Sequence, residues 1–270
     1  MPVITRGERL DWRKRTSRQA MLAWLGWIAG AFVFFVCFRY ISGQTTWFFV
    51  TDAPAQAADL VGRMFPPRWA YAEALWRPLW DTINIATLGT VIALFLSVPV
   101  AFLAARNTTP HPAFRAVALF VIVFSRSVNS LIWALLLVSV IGPGVLAGII
   151  AIGLRSVGFC SKLLFEAIEE TNPRPLEALA STGASNGQVV SYGIVPQVAP
   201  AFAGISVYRW DINIRESTVV GLVGAGGIGI QLDASIGRLA WDQVTVIFIM
   251  IVVLVIGAEW VSAKVREAIR

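Results

Sequence analysis

The feature that most constrains this chain is a series of long apolar runs, each close to the length at which a helix crosses a bilayer. Examples lie at 20–38, 79–105 and 145–165, and one crossing needs about 20 mainly apolar residues. In lipid the backbone must satisfy its own hydrogen bonds, which favours α-helices. Hydrophobic residues make up 57% of the chain and charged residues 14%, which excludes an ordinary soluble domain. The sequence therefore predicts an all-α polytopic membrane protein with about six transmembrane helices.

The apolar runs divide the chain into segments. Residues 1–19 are predicted to be a basic cytoplasmic N-terminus and 20–41 the first transmembrane helix. This run exceeds the ~7–15 residues of a signal-peptide core, so a retained helix is favoured over a cleaved signal. Charges alternate with aromatic residues in 42–78, which indicates an external or interfacial segment, with a plain exposed linker as the alternative. Residues 79–270 are expected to form the membrane core, with a polar island at 166–193.

Basic residues predict which segments face the cytoplasm. Thirteen Lys and Arg residues fall in the segments assigned to the inside and five in those assigned to the outside. Short loops rich in Lys and Arg stay in the cytoplasm. Both termini and the polar island are therefore expected there. The net charge of +6 is explained by this topology, so nucleic-acid binding is not predicted.

The sequence predicts neither a metal site nor an ATP site in this chain. Cys37 and Cys160 lie in apolar runs, and the only histidine, His111, stands alone in a loop. A phosphate-binding loop of the Walker type ends in Gly-Lys-Ser/Thr. The chain has three lysines, which are Lys14, Lys162 and Lys264, and none of them follows a glycine.

Polar side chains interrupt the third and fifth apolar runs, where lipid alone would not accommodate them. A charge at mid-bilayer costs about 2.5–3.5 kcal/mol on insertion scales. On a helix, Arg209, Asn213 and Glu216 share one face, and Asp211 and Arg215 share nearly the opposite face. Either one face lines a path, or all the charges only pair with one another. The predicted translocation path consists of Arg126, Asn129, Arg209, Asp211, Asn213, Arg215 and Glu216.

The charges within the apolar crossings do not balance. Four arginines are offset there by Asp211 and Glu216 alone, and the arginines are Arg126, Arg155, Arg209 and Arg215. Arginine presents a planar fork of donors that suits oxyanions. An anionic cargo is therefore predicted.

A glycine-rich stretch follows the fifth crossing and reads Gly224-Ala225-Gly226-Gly227-Ile228-Gly229. It matches the dinucleotide-binding pattern, but that pattern requires a strand, a turn and a helix in water. Here the stretch follows a membrane crossing on the predicted outer side. Close helix packing and an irregular backbone beside a cavity are the favoured explanation for Gly224, Gly226, Gly227 and Gly229.

The polar island resembles the cytoplasmic coupling loop of the permease subunits of ABC importers. It contains Glu177-Ala178-Leu179-Ala180-Ser181-Thr182-Gly183-Ala184-Ser185 and continues through Gln188 to Pro196-Gln197. Leu179 stands where a second Ala is usual, and Gly193 stands where an aliphatic residue is usual. The coupling residues that the resemblance implies are Glu177, Ala178, Thr182, Gly183, Ala184, Ser185 and Gln188.

A second stretch is similar to the phosphonate-type branch of that family. It reads Tyr208-Arg209-Trp210-Asp211-Ile212-Asn213-Ile214-Arg215-Glu216-Ser217-Thr218-Val219 and leads into the glycine-rich stretch. The resemblance implies a type I, MetI-like permease in a bacterial inner membrane that imports phosphonates or related oxyanions, such as phosphite or phosphate esters. It also implies that the chain is not an enzyme and holds no cofactor, because a partner ATPase binds ATP and Mg²⁺.

The implied partners are a second copy of the chain, two ATPase subunits, an external substrate-binding protein and the lipid bilayer. Three alternatives remain open from the sequence. One is an importer of methionine or another amino acid, and another is a membrane scaffold without transport activity. The third is a proton-coupled secondary transporter that uses Asp211 or Glu216 as a relay.

Overall fold

The computed structural model describes residues 3–6, 9–12 and 17–269. The predicted basic N-terminus at 1–19 lies partly outside these ranges. Its described part begins with an antiparallel hairpin of β1 (Val3–Arg6) and β2 (Arg9–Trp12). The chain forms two compact units, Met1–Gly62 and Arg63–Arg270.

The first unit contains α1 (Ser17–Gln44) and most of α2 (Trp47–Met64). Large apolar side chains of α1 are exposed, among them Trp24 and Phe34. In α2 no residue is buried. Of the two, α1 is apolar on all faces and suits a lipid environment. The assignment of 42–78 to the outer interface stays a prediction.

The second unit is helical throughout. The 3₁₀ turn Trp69–Tyr71 precedes α3, a π-helical turn at Val190–Ile194 joins α8 to α9, and the 3₁₀ turn Gly221–Val223 follows α9. The helices are α3 (Ala72–Ala104), α4 (Pro112–Ser127), α5 (Ser130–Ile141), α6 (Val145–Glu169), α7 (Pro173–Ser181), α8 (Asn186–Val189), α9 (Val195–Val220), α10 (Ile228–Gly237) and α11 (Trp241–Ile269).

In the described part of the chain, five helical runs are long and apolar enough to cross a membrane, or six if the bent pair α4–α5 counts as one span. The prediction of an all-α membrane protein with about six spans is confirmed, and the terminal hairpin is an addition to it. One boundary differs. The second span was expected from residue 79, whereas α3 begins at Ala72 and continues through Pro78.

The polar insert at 125–130 breaks the third span into two helices. The axes of α4 and α5 meet at 89°. Val128 is extended, and Asn129 Oδ1 accepts a hydrogen bond from Leu131 N at 3.1 Å, which caps α5. A side chain that satisfies a free N–H group allows a helix to start within the bundle.

Helix α6 lies at the centre of the unit and packs against α3, α4, α5 and α9. Its small residues permit this. A Cβ on Gly148 would lie 2.3 Å from Ala225 O, and one on Gly158 would lie 2.7 Å from Ile122 O. Because lipid supplies little hydrophobic force between helices, such close packing is a principal source of stability.

The glycine-rich stretch forms the turn between α9 and α10. Gly224, Gly226 and Gly227 have positive φ angles of 86°, 91° and 75°, a region that favours glycine. A Cβ on Gly227 would lie 2.7 Å from Thr82 Oγ1, which accepts a hydrogen bond from Ile228 N at 2.8 Å. The turn is therefore held against α3.

Candidate functional site

A chain of polar contacts links α9, α6 and α3 inside the bundle. Arg209 Nε donates to Ser156 Oγ at 2.9 Å, and Ser156 Oγ lies 3.2 Å from Asn213 Oδ1. Asn213 Nδ2 donates to Thr90 Oγ1 at 2.7 Å. All four residues are buried. Since each of them has a partner, the network avoids the penalty of an unsatisfied polar group.

Glu216 is shared by two arginines. Its Oε1 lies 2.7 Å from Arg155 Nη1 on α6, and its Oε2 lies 3.5 Å from Arg209 Nη2 on its own helix. Arg155 Nη1 also lies 3.3 Å from Ser130 Oγ at the start of α5. The carboxylate therefore links α9 to α6, and Arg155 extends the contact to α5.

Asp211 and Arg215 form a second ion pair on α9. Asp211 is 4% exposed, whereas the side chain of Arg215 is 51% exposed. The other carboxylate oxygen, Oδ1, is buried and has no hydrogen-bond partner among the residues that the structure describes. In this pair the guanidinium group is therefore exposed, whereas the carboxylate is buried.

A cavity of about 500 Å³ lies between α5, α6 and α9. Its charged lining residues are Arg155, Arg215 and Glu216, so two positive charges face one negative charge. A cleft with low-dielectric walls and an excess of one sign attracts the opposite charge. The other lining residues are Asn129, Ser130, Leu131, Tyr208, Ile212 and Val219.

The structure places the predicted path residues in three settings. Those that line the cavity are Asn129, Arg215 and Glu216. Those that are buried outside its lining are Arg209, Asp211 and Asn213. Arg126 is exposed near the end of α4, and its side chain has no ion pair or hydrogen-bond partner among residues 18–268. Their roles in transport stay predictions.

Three further residues contact the predicted path residues, and these are Arg155, Ser156 and Thr90. Arg155 carries a sequence signal, because it interrupts an apolar run, and Ser156 follows it. Thr90 carries none. A threonine in an apolar helix can bond to its own backbone, as Thr90 Oγ1 does to Ala86 O at 2.6 Å, so its second contact with Asn213 depends on how α3 and α9 pack.

The predicted coupling loop forms α7, a turn and α8. Asn172 Oδ1 accepts from Arg174 N at 3.1 Å and caps α7. Gly183 follows the helix with φ of 82°. Ser185 and Gln188 form a capping box that begins α8, with Ser185 N donating to Gln188 Oε1 at 2.8 Å. Short polar motifs therefore define both helix starts.

Most of the predicted coupling residues lie on the surface of the described chain. Ala184 is half-buried, and the exposed residues are Glu177, Ala178, Thr182, Gly183, Ser185 and Gln188. Glu177 also lines a cavity of about 630 Å³ between this loop and the loop at 107–110. An exposed helix face beside a cleft is available to a partner.

The inner side of α7 is tied to the start of α9. Gln197 Oε1 accepts from Asn172 N at 2.9 Å, and Gln197 Nε2 donates to Gly193 O at 2.9 Å. A Cβ on Gly193 would lie 2.5 Å from Leu176 Cδ2 and 3.2 Å from Leu179 Cδ1. The absent side chain at Gly193 makes room for both leucines.

A helical membrane bundle with a cationic cavity, and with an exposed polar loop connected to one of its spans, is typical of membrane transport proteins. The family comparison is more specific. Residues 97–263 match the family described as "Binding-protein-dependent transport system inner membrane component", and the chain belongs to it. It is therefore a multi-pass inner-membrane permease subunit and, by family, not an enzyme.

Two relatives and one solved structure illustrate the similarity. The phosphite transport system permease protein PtxC of Stutzerimonas stutzeri is 41% identical over 210 residues, which cover 78% of this chain and 76% of the relative. The phosphate-import permease protein PhnE of Mycolicibacterium smegmatis is 42% identical over 216 residues, which cover 80% of this chain and 41% of that protein. An inward-facing structure of the MetNI methionine ABC transporter has a TM-score of 0.65 at 18% identity, covering 74% of this chain and 98% of that one.

Proposed function

We propose that this chain is the permease subunit of an ATP-driven importer for phosphonates or related phosphorus oxyanions, such as phosphite or phosphate esters. The observation that carries the choice of an anionic cargo is the cavity between α5, α6 and α9. It has two arginines against one glutamate within the membrane bundle. Guanidinium groups bind oxyanions through paired, charge-assisted hydrogen bonds.

The relatives support the phosphorus chemistry of the cargo. Proteins named for phosphite and phosphate import are 41% and 42% identical to this chain, whereas the methionine transporter shares its fold at 18% identity. This difference favours an oxyanion importer over the amino-acid alternative. Membership of a binding-protein-dependent family also disfavours a proton-coupled transporter and a passive scaffold.

The proposed mechanism is alternating access. An external binding protein delivers the oxyanion, and two cytoplasmic ATPase subunits bind ATP and Mg²⁺, so this chain needs no cofactor of its own. Their closure moves α7 and α8, and Gln197 passes this movement to α9, which carries Glu216. Two copies of the chain enclose the path, and both termini lie in the cytoplasm.

The direct test is uptake into proteoliposomes that contain this chain, its ATPase and its binding protein. Phosphite, methylphosphonate, inorganic phosphate and methionine are supplied separately, with and without ATP. We expect ATP-dependent uptake of at least one phosphorus oxyanion, and we expect this uptake to persist when an uncoupler removes any proton gradient.

The same assay can refute the proposal. Uptake of methionine without uptake of any phosphorus oxyanion would transfer the chain to the amino-acid importers. Uptake that requires a proton gradient and ignores ATP would place it among secondary transporters. A complex with a non-hydrolysable ATP analogue serves as the control for passive leakage.

A further inference from the structure

The two arginines that share Glu216 are held very differently. The side chain of Arg209 is 3% exposed, donates to Ser156 Oγ and lies over the ring of Phe159, with 5.0 Å from its guanidinium carbon to the ring centroid. The side chain of Arg155 is 32% exposed and lines the cavity. Arg209 is therefore fixed by its surroundings, whereas Arg155 can turn toward the cavity.

The geometry of the carboxylate allows this exchange. Glu216 uses Oε1 for Arg155 and Oε2 for Arg209, so the loss of one contact leaves the other intact. Two guanidinium groups with one carboxylate also carry one uncompensated positive charge. A second anion that reaches Arg155 would neutralise the group, and charges inside a membrane protein are stabilised by such compensation.

The break between α4 and α5 adds a second source of positive potential. Helix α5 has 12 residues and begins at the cavity, where Asn129 and Ser130 form part of the lining. Helix N-termini carry a partial positive charge. Because Ser130 Oγ lies 3.3 Å from Arg155 Nη1, the helix end and the guanidinium group face the same space.

We propose that the membrane domain holds its own oxyanion site, in which Arg155 exchanges Glu216 for the cargo while Arg209 keeps Glu216 in place. Arg215 and the start of α5 complete the site. Glu216 then competes with the cargo for Arg155, which keeps binding weak enough for release, as a conducting path requires. This inference rests on the proposed function and assigns the cargo a place within it.

The inference makes a prediction of opposite sign for two substitutions. Arg155→Gln removes the ligand-facing charge, so methylphosphonate should bind about tenfold more weakly or worse. Glu216→Gln removes the competitor and should make binding tighter while it slows uptake. Arg155→Lys keeps the charge without the planar fork and should fall between Arg155→Gln and the unmodified chain.

Binding is measured on the permease–ATPase complex in lipid nanodiscs without the binding protein, by saturation transfer to the methyl protons of methylphosphonate. This readout detects weak ligands. Arg238→Gln is the matched control, because Arg238 is exposed beyond α10 and outside the cavity. Size-exclusion chromatography checks the assembly of every variant. The unfolding temperature of the Glu216→Gln complex should be higher with methylphosphonate than without it.

Two results would overturn the inference. One is the absence of saturation transfer to methylphosphonate from the unmodified complex. The other is weaker binding in both Arg155→Gln and Glu216→Gln, which would mean that the ion pair only supports the fold. Uptake by the complete transporter is measured separately. Normal uptake together with either result would refute the membrane site and leave the proposed function standing. Absence of uptake of every phosphorus oxyanion would refute the proposed function itself.

Discussion

The charged residues of α9 show how single side chains are accommodated in a membrane bundle. Arg209, Asp211 and Glu216 each have a partner of opposite charge, and all three are buried or half-buried. Removing one partner from a buried pair costs about 3–5 kcal/mol, because the other charge is left uncompensated. Loss of transport in such variants therefore identifies a path residue only when assembly is measured alongside.

Gly193 offers a prediction about packing at the coupling loop. Leu176 and Leu179 occupy the space beside it, so Gly193→Val should overpack this contact and destabilise the protein by about 1–3 kcal/mol. The added loss should be smaller when Leu176 is already Ala, because the two sites are in contact. Thermal unfolding followed with a thiol-reactive dye measures this, since Cys160 is buried.

The control for this experiment is Gly187→Val. Both variants are made in a Cys37→Ser background, because Cys37 is exposed and would react with the dye before unfolding. No atom lies within 4 Å of a Cβ placed on Gly187, so this substitution should leave the unfolding midpoint unchanged. Equal midpoints for Gly193→Val and Gly187→Val would contradict the close contact of α7 with the start of α9.

At the scale of secondary-structure elements, the coupling loop and α9 behave as connected parts. Helix α8, the π-helical turn Val190–Ile194 and α9 follow one another without an intervening loop, and Gln197 bonds to the residue that caps α7. We therefore expect a displacement of α7 to reach α9 through these backbone and side-chain contacts. This continuity is the physical basis of the proposed coupling between the loop and Glu216.

Glu177→Lys tests the loop as a docking element. Glu177 is exposed on α7, so reversing its charge should disturb the contact with an ATPase and leave the membrane helices intact. We expect uptake to fall about tenfold, equivalent to about 1.4 kcal/mol of coupling, with normal membrane insertion. ATP hydrolysis and uptake by the reconstituted complex are the two measurements.

Glu170→Lys is the matched control for that experiment. Glu170 is also exposed, but it ends α6 and lies outside α7. Full substrate-stimulated ATP hydrolysis and uptake in Glu177→Lys would show that this face of α7 does not transmit the movement. Gly183→Trp extends the test. A Cβ at Gly183 meets no atom within 4 Å, but φ is +82°, so this variant also strains the turn.

At the scale of the whole molecule, the described helices leave many large apolar side chains exposed. Phe95 is 80% exposed and Val140 is 83% exposed. Lipid can cover such residues, and so can a second permease chain. Because one chain carries one coupling loop, we expect a complex of two identical permease chains and two ATPase subunits.

Native mass spectrometry of the purified complex measures this stoichiometry. A mass equal to two copies of this chain and two ATPase subunits is the expected result. A single permease chain, or a second permease of different mass, would contradict it.

The sequence alone determined the features that depend on local chemistry. Apolar runs of sufficient length predicted the spans, because a backbone in lipid must bond to itself. The polar insert at 125–130 marked the break between α4 and α5, since Asn129 can replace a lost backbone partner. The helix starts within the loop at 166–193 also depend on local chemistry, because its capping residues and its positive-φ glycine act within a few positions of one another. Its role in coupling stays a prediction from resemblance.

Only the tertiary structure decided which charges face the cavity. Arg155 and Glu216 are separated by 61 positions, and Asn213 and Thr90 by 123. Whether such residues meet depends on the rotation and depth of each helix, and these follow from packing around the small residues of α6. Periodicity identifies the face of a helix on which a charge lies. The partner of that charge is determined by the neighbouring helix, whose position no local pattern encodes.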